Sequence, residues 1–397
     1  MSANSGLLLA VLVLAVAAGW WLGFSQQGRG RRWFRKRHLP VTENLAYLLN
    51  DQADTAVELF IQSLDVRPDT LEMHLALGTI LRRRGEVDRA IRIHQNLLDQ
   101  SGLDAPQLAM VQLELGRNYA VAGWLDRAER MFEAVLPAGG TFEEVALQEL
   151  LTLHDSSQDW EKAIQTGDRL LSIHRFHAYK GRDKLSLAMS HYYCELAEQA
   201  LASGKLAVMR KCLDQASRFC PKSLRIARLQ AVMEMESGHA DKAFKIVKKH
   251  VLAQPSSLPE LLDIVERALQ SESRPVLLDF LEEGLSREFS VRVMEYLANA
   301  MMAEGRHHEA LALVVEQVRR YPGLLGVRTL VNLYLPDAEG RAQENLQLLS
   351  GLMDRLVHNR AAYQCNDCGF HGQRLHWQCP GCKAWGSVVR IQGVEGD

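Results

Sequence analysis

The sequence predicts an all-α protein: a superhelical solenoid of stacked helix pairs, with a transmembrane helix before it and a small metal-binding module after it. Three observations support this architecture. A small residue recurs about every 34 residues through the middle of the chain, residues 7–24 form an uninterrupted apolar run, and four cysteines form two C-x2-C pairs near the C-terminus. With 397 residues, 47% hydrophobic and 24% charged, the composition excludes a wholly disordered protein.

The first element is the apolar run from Leu7 to Phe24, which as a helix is about 27 Å long, close to the ~30 Å hydrocarbon core of a bilayer. A cleaved signal peptide is the alternative, since Ala15-Val16-Ala17 resembles a cleavage site, but the preceding Met1–Gly6 carries no basic residue. The basic cluster follows the run, so the positive-inside rule predicts an uncleaved anchor with the N-terminus outside and the bulk of the chain in the cytoplasm. We assign residues 1–24 to the anchor and 25–43 to a basic juxtamembrane linker.

Gly19 and Gly23 lie four residues apart and therefore share one face of the predicted anchor helix. Small residues at this spacing let two helix backbones approach closely in a membrane. This face either docks the transmembrane helix of a partner or belongs to a passive tether.

The charge distribution separates the anchor region from the rest of the chain. The total is 46 basic and 48 acidic residues, yet residues 1–38 hold six basic residues and no acidic one, which leaves 40 basic and 48 acidic residues elsewhere. An acidic body argues against nucleic-acid binding.

The middle of the chain repeats. Gly78, Gly85 and Ala90 superimpose on Gly116, Gly123 and Ala128 with a shift of 38 residues. A small residue in a first helix, a turn glycine and an alanine at the helix crossing are typical of tetratricopeptide (TPR) repeats. The alanine register continues through Ala56, Ala90, Ala128, Ala163, Met209, Ala243, Leu277 and Ala310. It predicts eight repeats over 44–322, a capping helix pair over 323–358, and a longer loop near 175–184.

TPR arrays bind peptides or partner proteins on their concave face. By repeat position Arg82, Arg83 and Arg117 are candidate partner-binding residues in that groove. The alternative is that the arginines at 82–84 form a solvated helix end. No catalytic motif is present, since His307-His308-Glu309 lacks the H-E-x-x-H spacing, and we expect no enzymatic activity.

The last segment, residues 359–397, is predicted to be a metal-binding module. Cys365, Cys368, Cys379 and Cys382 have the spacing of two turns that together supply four thiolates to one ion. Four thiolates close the coordination sphere and leave no open position for a substrate. The set suits iron or zinc, because rubredoxins and zinc ribbons use nearly the same turns.

Taken together, the anchor, the TPR-like array and the rubredoxin-type module resemble the lipopolysaccharide assembly protein B family of Gram-negative inner membranes. The most specific stretches are 84–95, 126–129, 191–197, 365–368 and 377–385. The resemblance implies a non-enzymatic adaptor in the cell inner membrane, with a periplasmic N-terminus. It also implies that this adaptor promotes degradation of the lipid A pathway deacetylase by the membrane AAA+ protease FtsH and organises other lipopolysaccharide synthesis proteins. The four cysteines would ligate the metal, and the module would pack against the array.

Three other functions compete when the residues are considered without the family: a rubredoxin-like electron carrier, a zinc-ribbon nucleic-acid binder and a general TPR assembly scaffold. The repeats favour an adaptor or scaffold, and the acidic body disfavours the nucleic-acid binder.

Overall fold

The computed structural model describes residues 70–99, 102–174, 181–269, 274–358 and 360–391. The chain divides into two compact units, residues 1–146 and 147–397. In the described ranges it forms sixteen α-helices and a three-stranded antiparallel sheet. The predicted anchor with Gly19 and Gly23, and the first register position Ala56, lie outside the described residues. No helix within the described ranges is both long and apolar enough to cross a membrane.

The first unit contains consecutive antiparallel helix pairs. Its helices are α1 (Leu71–Arg83), α2 (Val87–Leu98), α3 (Ala105–Val121) and α4 (Leu125–Val135), followed by a 3-10 turn, Leu136–Ala138, and by the start of α5 (Gly140–Ser157). The N-terminus of α3 is fixed by a capping box, in which Asp104 and Gln107 each accept a hydrogen bond from the other's backbone N–H.

The second unit continues the pattern and ends in the sheet. Its helices are α6 (Trp160–Ile173), α7 (Arg182–Ala202), α8 (Leu206–Phe219), α9 (Leu224–Glu236), α10 (Ala240–Ala253), α11 (Leu262–Leu269), α12 (Arg274–Arg287), α13 (Val291–Ala303), α14 (His307–Arg320), α15 (Leu324–Tyr334) and α16 (Arg341–His358). The strands are β1 (Tyr363–Cys365), β2 (His371–Gly372) and β3 (Val388–Arg390), with β1 between the other two.

The repeat signals have clear structural causes. Within the described ranges, all register positions are buried: Ala90, Ala128, Ala163, Met209, Ala243, Leu277 and Ala310. The turn glycines at 85, 123, 204, 238 and 305 all have positive φ, a conformation that glycine adopts without strain. In the pair α5–α6 the same turn is made by Gln158 at φ 59, so a residue with a side chain takes the glycine position.

The glycine in the first helix of a pair is required by close packing against the second helix. A Cβ added to Gly78 would lie 2.2 Å from the ring of His94, and one added to Gly116 would lie 2.5 Å from the ring of Phe132. Each of these large residues follows the buried alanine of its own repeat by four positions and therefore lies on the same helix face. The glycine thus forms the recess that the large side chain fills.

The repeat pattern is interrupted twice in the second unit. Residues 182–184, which the sequence analysis placed in a loop, are helical, because α7 begins at Arg182 and extends over 21 residues. The guanidinium of Arg182 donates to the His174 carbonyl across the intervening segment. Before α11, which has only eight residues, the chain forms a 3-10 helix over Pro255–Glu260. Both departures support the C-terminal module, because α7 and the 3-10 helix carry residues that contact it.

Candidate functional site

The four cysteines of the two C-x2-C pairs come together at one point. Their sulfur atoms all lie within 4.8 Å of one another, with 3.7 Å between the sulfurs of Cys365 and Cys382 and 3.6 Å between those of Cys368 and Cys379. Tetrahedral coordination at a metal–sulfur distance of about 2.3 Å separates the sulfurs by about 3.8 Å. The donor set therefore fits one tetrahedrally coordinated ion.

The two turns that carry these cysteines have the same backbone geometry. In the first, the N–H of Cys365 donates to the Phe370 carbonyl and the N–H of Gly369 donates to the Cys365 carbonyl. In the second, Cys379 donates to Ala384 and Lys383 donates to Cys379 in the same pattern.

The residue after the second cysteine has positive φ in both turns. Gly369 has φ 74 and Lys383 has φ 60. Because only the first of these is a glycine, the second turn holds a lysine in a conformation that L-residues adopt at a cost.

The chemistry of the four thiols favours a bound cation. The Ser387 hydroxyl, 3.2 Å from the sulfur, lowers the pKa of Cys365 to about 6. The Ala384 N–H lowers the pKa of Cys382, but partial desolvation and the neighbouring sulfurs outweigh it and raise this pKa to about 12. Four thiolates at neutral pH therefore require a positive ion among them.

Trp385, which follows the second turn, anchors the module on the helix pairs. Its ring stacks on His191 of α7, with centroids 4.9 Å apart, and meets Trp160 of α6 edge-on at 6.0 Å. Its indole N–H donates to Asp155 at the end of α5 over 3.2 Å. The adjacent Gly386 has φ 63 and lies against Leu187, so the chain after the tryptophan approaches α7 closely.

Asp155 is the shared acceptor of this contact. It accepts hydrogen bonds from the Gln378 amide at 2.8 Å and from Trp385, and it is also bonded to Tyr192. Burial raises its pKa above the usual value even though these donors act in the opposite direction. The carboxylate is therefore held in place by the module's own donors.

Arg225 of α9 is the buried cation beneath the module. Arg225 is only 1% exposed, and its guanidinium binds Glu195 at 2.7 Å and Glu198 at 2.9 Å. The same guanidinium carbon lies 5.7 Å from the ring centroid of Trp377 and 6.0 Å from that of Trp385. This arrangement allows a cation–π contribution to docking.

His191 lies between Arg225 and the module and is uncharged. Burial, reinforced by the positive charge of Arg225, lowers its pKa to about 3. A neutral imidazole stacks on Trp385 without adding a second positive charge beside the guanidinium.

A second contact joins the sheet to the 3-10 helix. The Tyr363 hydroxyl of β1 donates to Glu260 at 2.8 Å, and Arg390 of β3 binds both Glu260 and the Tyr363 oxygen. Burial raises the pKa of Tyr363 to about 12, so its hydroxyl remains a donor. The module is thus fixed at two places, on α5–α7 and on the 3-10 helix.

The predicted groove arginines belong to a network inside the first unit. Arg82 donates to Glu114 and to Asn118, both over 2.8 Å, and Arg117 binds the other carboxylate oxygen of Glu114 over 2.6 Å. Asn118 in turn bonds to the buried His94 ring at 2.8 Å. Arg83 is exposed at the end of α1. Arg82 thus connects neighbouring helix pairs, and Arg117 holds the other oxygen of Glu114 from within α3.

The sequence analysis identified the four cysteines but not Asp155, Arg225 or Glu260, the array residues that hold the module. The sequence of the module does contain a sign that it packs against another surface. A segment of this size is too small to bury the large aromatic side chains of both Trp377 and Trp385 on its own. These residues therefore indicate a partner surface, but they do not identify it.

Comparisons with known proteins agree with this architecture. A family model described as "Rubredoxin metal binding domain" matches residues 363–390, and one described as "Tetratricopeptide repeat" matches residues 74–106. A solved tetratricopeptide repeat protein from Parabacteroides merdae aligns over 67% of this chain and 98% of its own, at 15% identity and a TM-score of 0.32, which is too low to support any structural conclusion.

Curated relatives match this chain over nearly their whole length. "Lipopolysaccharide assembly protein B" of Haemophilus influenzae is 28% identical over 98% of this chain and 99% of its own. The protein of that name from Escherichia coli K12 is 32% identical over the same shares of both chains. Because repeats, metal-binding turns and full length all correspond, the chain belongs to the lipopolysaccharide assembly protein B family.

Proposed function

We propose that this chain is a non-enzymatic, membrane-tethered adaptor that regulates lipopolysaccharide synthesis. In this role it promotes proteolysis of the lipid A pathway deacetylase by FtsH and organises other lipopolysaccharide synthesis proteins at the inner membrane. The observation that carries the proposal is the match, over 98% of the chain, to a protein named for lipopolysaccharide assembly. The stacked helix pairs support a protein-binding role, because such arrays present an extended surface to partners.

Turnover of the deacetylase tests the proposal directly. In a strain that lacks this chain, a pulse-chase experiment should show a longer lifetime of the deacetylase and a higher lipopolysaccharide content. Restoring the wild-type chain should reverse both effects. Unchanged turnover in the null strain would remove the proteolytic role.

We assign the metal a structural role within this function. Cys365, Cys368, Cys379 and Cys382 would hold one iron or zinc ion and complete a module that has little core of its own. Cys379→Ser should abolish metal binding and reduce deacetylase turnover, whereas Cys220→Ser, outside the module, should do neither. Normal turnover with a metal-free module would contradict the structural role.

A second candidate function is rubredoxin-like electron transfer, favoured by the two matched cysteine turns alone. It requires iron that changes oxidation state. Voltammetry of the purified full-length chain distinguishes the two functions. A reversible one-electron response would support electron transfer, and a zinc-loaded chain that restores deacetylase turnover would exclude it.

The anchor is part of the proposal, although it lies outside the described residues. Leu7–Phe24 would hold the chain in the inner membrane, and Gly19 with Gly23 would dock a transmembrane helix of FtsH. Replacement of the segment by an unrelated spanning helix, or Gly19→Ile with Gly23→Ile, should keep the chain in the membrane but slow turnover. Wild-type turnover in both variants would make the segment a passive tether.

The groove residues remain candidates for partner binding. Arg83 is the exposed member, so Arg83→Glu should weaken cross-linking to partners without lowering the melting temperature. Arg130→Glu, an exposed charge reversal on α4, is the matched control. Arg82 and Arg117 act through Glu114, and their substitution should lower stability as well as binding.

The proposed domain boundaries are those predicted from the sequence. They are the anchor at 1–24, the basic linker at 25–43, the repeats at 44–322, the capping helix pair at 323–358 and the metal-binding module at 359–397.

A further inference from the structure

A separate cavity lies away from the cysteines, where the last helix pairs meet the start of the module. It measures about 270 Å³ and is formed by α13, α15, the end of α16 and the segment that leads into β1. Four arginines line it, with a single carboxylate among the lining residues: Arg292, Arg328, Arg360, Arg390 and Glu295. A guanidinium is the protein group best suited to planar recognition of a carboxylate or phosphate.

Two of these arginines are already committed to carboxylates. Arg328 donates to both oxygens of Glu295, at 3.2 and 3.3 Å, and Arg390 binds Glu260. Arg360 is different, because its exposed side chain has no ion-pair or hydrogen-bond partner within the described ranges. The fourth, Arg292, has an interaction of its own, so Arg360 is the one uncommitted cation among the described residues that line the cavity.

A second observation also indicates a missing acceptor. The Nε atom of Arg328 is buried, and it has no hydrogen-bond partner among the described residues. A buried donor without an acceptor costs about 1–3 kcal/mol, so native structures rarely retain one that nothing satisfies. An anion in this cavity would neutralise Arg360, and it would become the missing acceptor once the Arg328 side chain turned its Nε towards the cavity.

The remainder of the lining is aliphatic. Val291, Leu324, Leu325 and Val357 surround the arginines, together with two alanines. A free inorganic ion has no apolar part that could pack against such a surface. A singly charged group that carries a small apolar side chain uses both parts of the cavity.

We propose that this cavity binds the free C-terminal carboxylate of a partner polypeptide whose last residue is aliphatic. The carboxylate would accept from Arg360 and Arg328, and the aliphatic side chain would lie against Val291 and Leu325. A single uncommitted cation favours a monoanionic carboxylate over a phosphate dianion. This inference goes beyond the proposed function, because it identifies a part of the partner and is tested without protease or membrane.

Calorimetric titration of the purified full-length chain tests the site. The probe is the peptide acetyl-Gly-Ser-Gly-Ser-Gly-Leu with a free carboxylate, and its control is the same peptide with a C-terminal amide. The free acid should bind at least about tenfold more tightly. Arg360→Gln should reduce this preference about tenfold with an unchanged melting temperature, whereas Arg355→Gln, an exposed charge loss on α16 outside the cavity, should preserve it.

Several results would overturn the proposal. These are equal binding of acid and amide, no saturable binding at millimolar peptide, or equal effects of the two arginine substitutions. Displacement of the peptide by inorganic phosphate at lower concentration than by acetate would assign the cavity to phosphate instead. Octanoate binding as tightly as the peptide would assign it to fatty acids. Each outcome is independent of deacetylase turnover, so failure here leaves the proposed function intact.

Discussion

Removal of the Asp155 carboxylate should weaken the attachment of the metal-binding module to α5–α7 and leave its contact with Glu260 in place. In Asp155→Ala the Trp385 indole N–H, the Gln378 amide and the Tyr192 hydroxyl all lose their common acceptor. Hydrogen bonds to a charged acceptor contribute about 1.5–3 kcal/mol each. The buried carboxylate itself is costly, as its raised pKa indicates, and this offsets part of that sum. We therefore expect a net loss of about 2–4 kcal/mol of docking free energy.

A double-mutant cycle with Trp385→Phe isolates the contact from general destabilisation. Trp385→Phe keeps an aromatic ring but removes the donor, so the two substitutions should be coupled by about 1–2 kcal/mol. A denaturant titration followed by the near-ultraviolet circular dichroism of Trp160, whose ring residue 385 meets in the docked state, measures undocking. Asp214→Ala, an exposed acid on α8, is the control and should leave the transition unchanged. Additive effects of the two site substitutions would refute the assignment of Asp155 as the shared acceptor.

The pH dependence of docking has a defined sign. Because the docked state raises the pKa of Asp155, ionisation of this carboxyl opposes docking at neutral pH. As pH falls from about 7 through the raised value towards about 4, the wild-type chain should gain stability relative to Asp155→Asn. A constant difference between the two proteins over this range would contradict burial as the cause of the shift.

Three further predictions follow from the backbone and the core. Cys379→Ser should release the metal and lower the melting temperature of the module, as measured by elemental analysis and calorimetry, and an unchanged metal content would exclude it as a ligand. Gln158→Gly, which places glycine at φ 59, should stabilise the chain by about 0.5–1 kcal/mol, so any loss of stability in a denaturant titration would argue against strain there. Gly116→Val should cost more than about 2 kcal/mol, because its Cβ would overlap the ring of Phe132. If the Gly116→Val protein were as stable in denaturant as the wild type, the two helices would have to separate at no cost.

The repeat architecture was predictable because its signals are local. Turn glycines and the alanines at the helix crossings each depend on a few neighbouring residues, and they recur at a fixed period. The prolines at 221, 255 and 322 each follow a helix by two residues, as expected for a residue that cannot continue one. The metal-binding role of the four cysteines was equally predictable, because the spacing within each pair reflects the geometry of a single turn.

The docking surface was not predictable for the opposite reason. Asp155 is 230 residues away in sequence from its donor Trp385, and Glu260 is 103 residues from Tyr363. No periodicity links such positions, and a charged residue in a repeat helix resembles any solvated one. Arg82 shows the same difficulty, because its engagement by Glu114 depends on how two helix pairs stack.

The two attachment points of the module alter how the second unit should unfold. In a simple repeat array each helix pair contacts only its neighbours, so stability is lost repeat by repeat along a one-dimensional chain. Here the module joins Asp155 directly to Glu260, across the helices from α6 to α10. Fraying of any intervening pair would therefore break contacts at both ends. The segment from α5 to the 3-10 helix should consequently open as one cooperative block, with uniform amide protection in place of a gradient along the array.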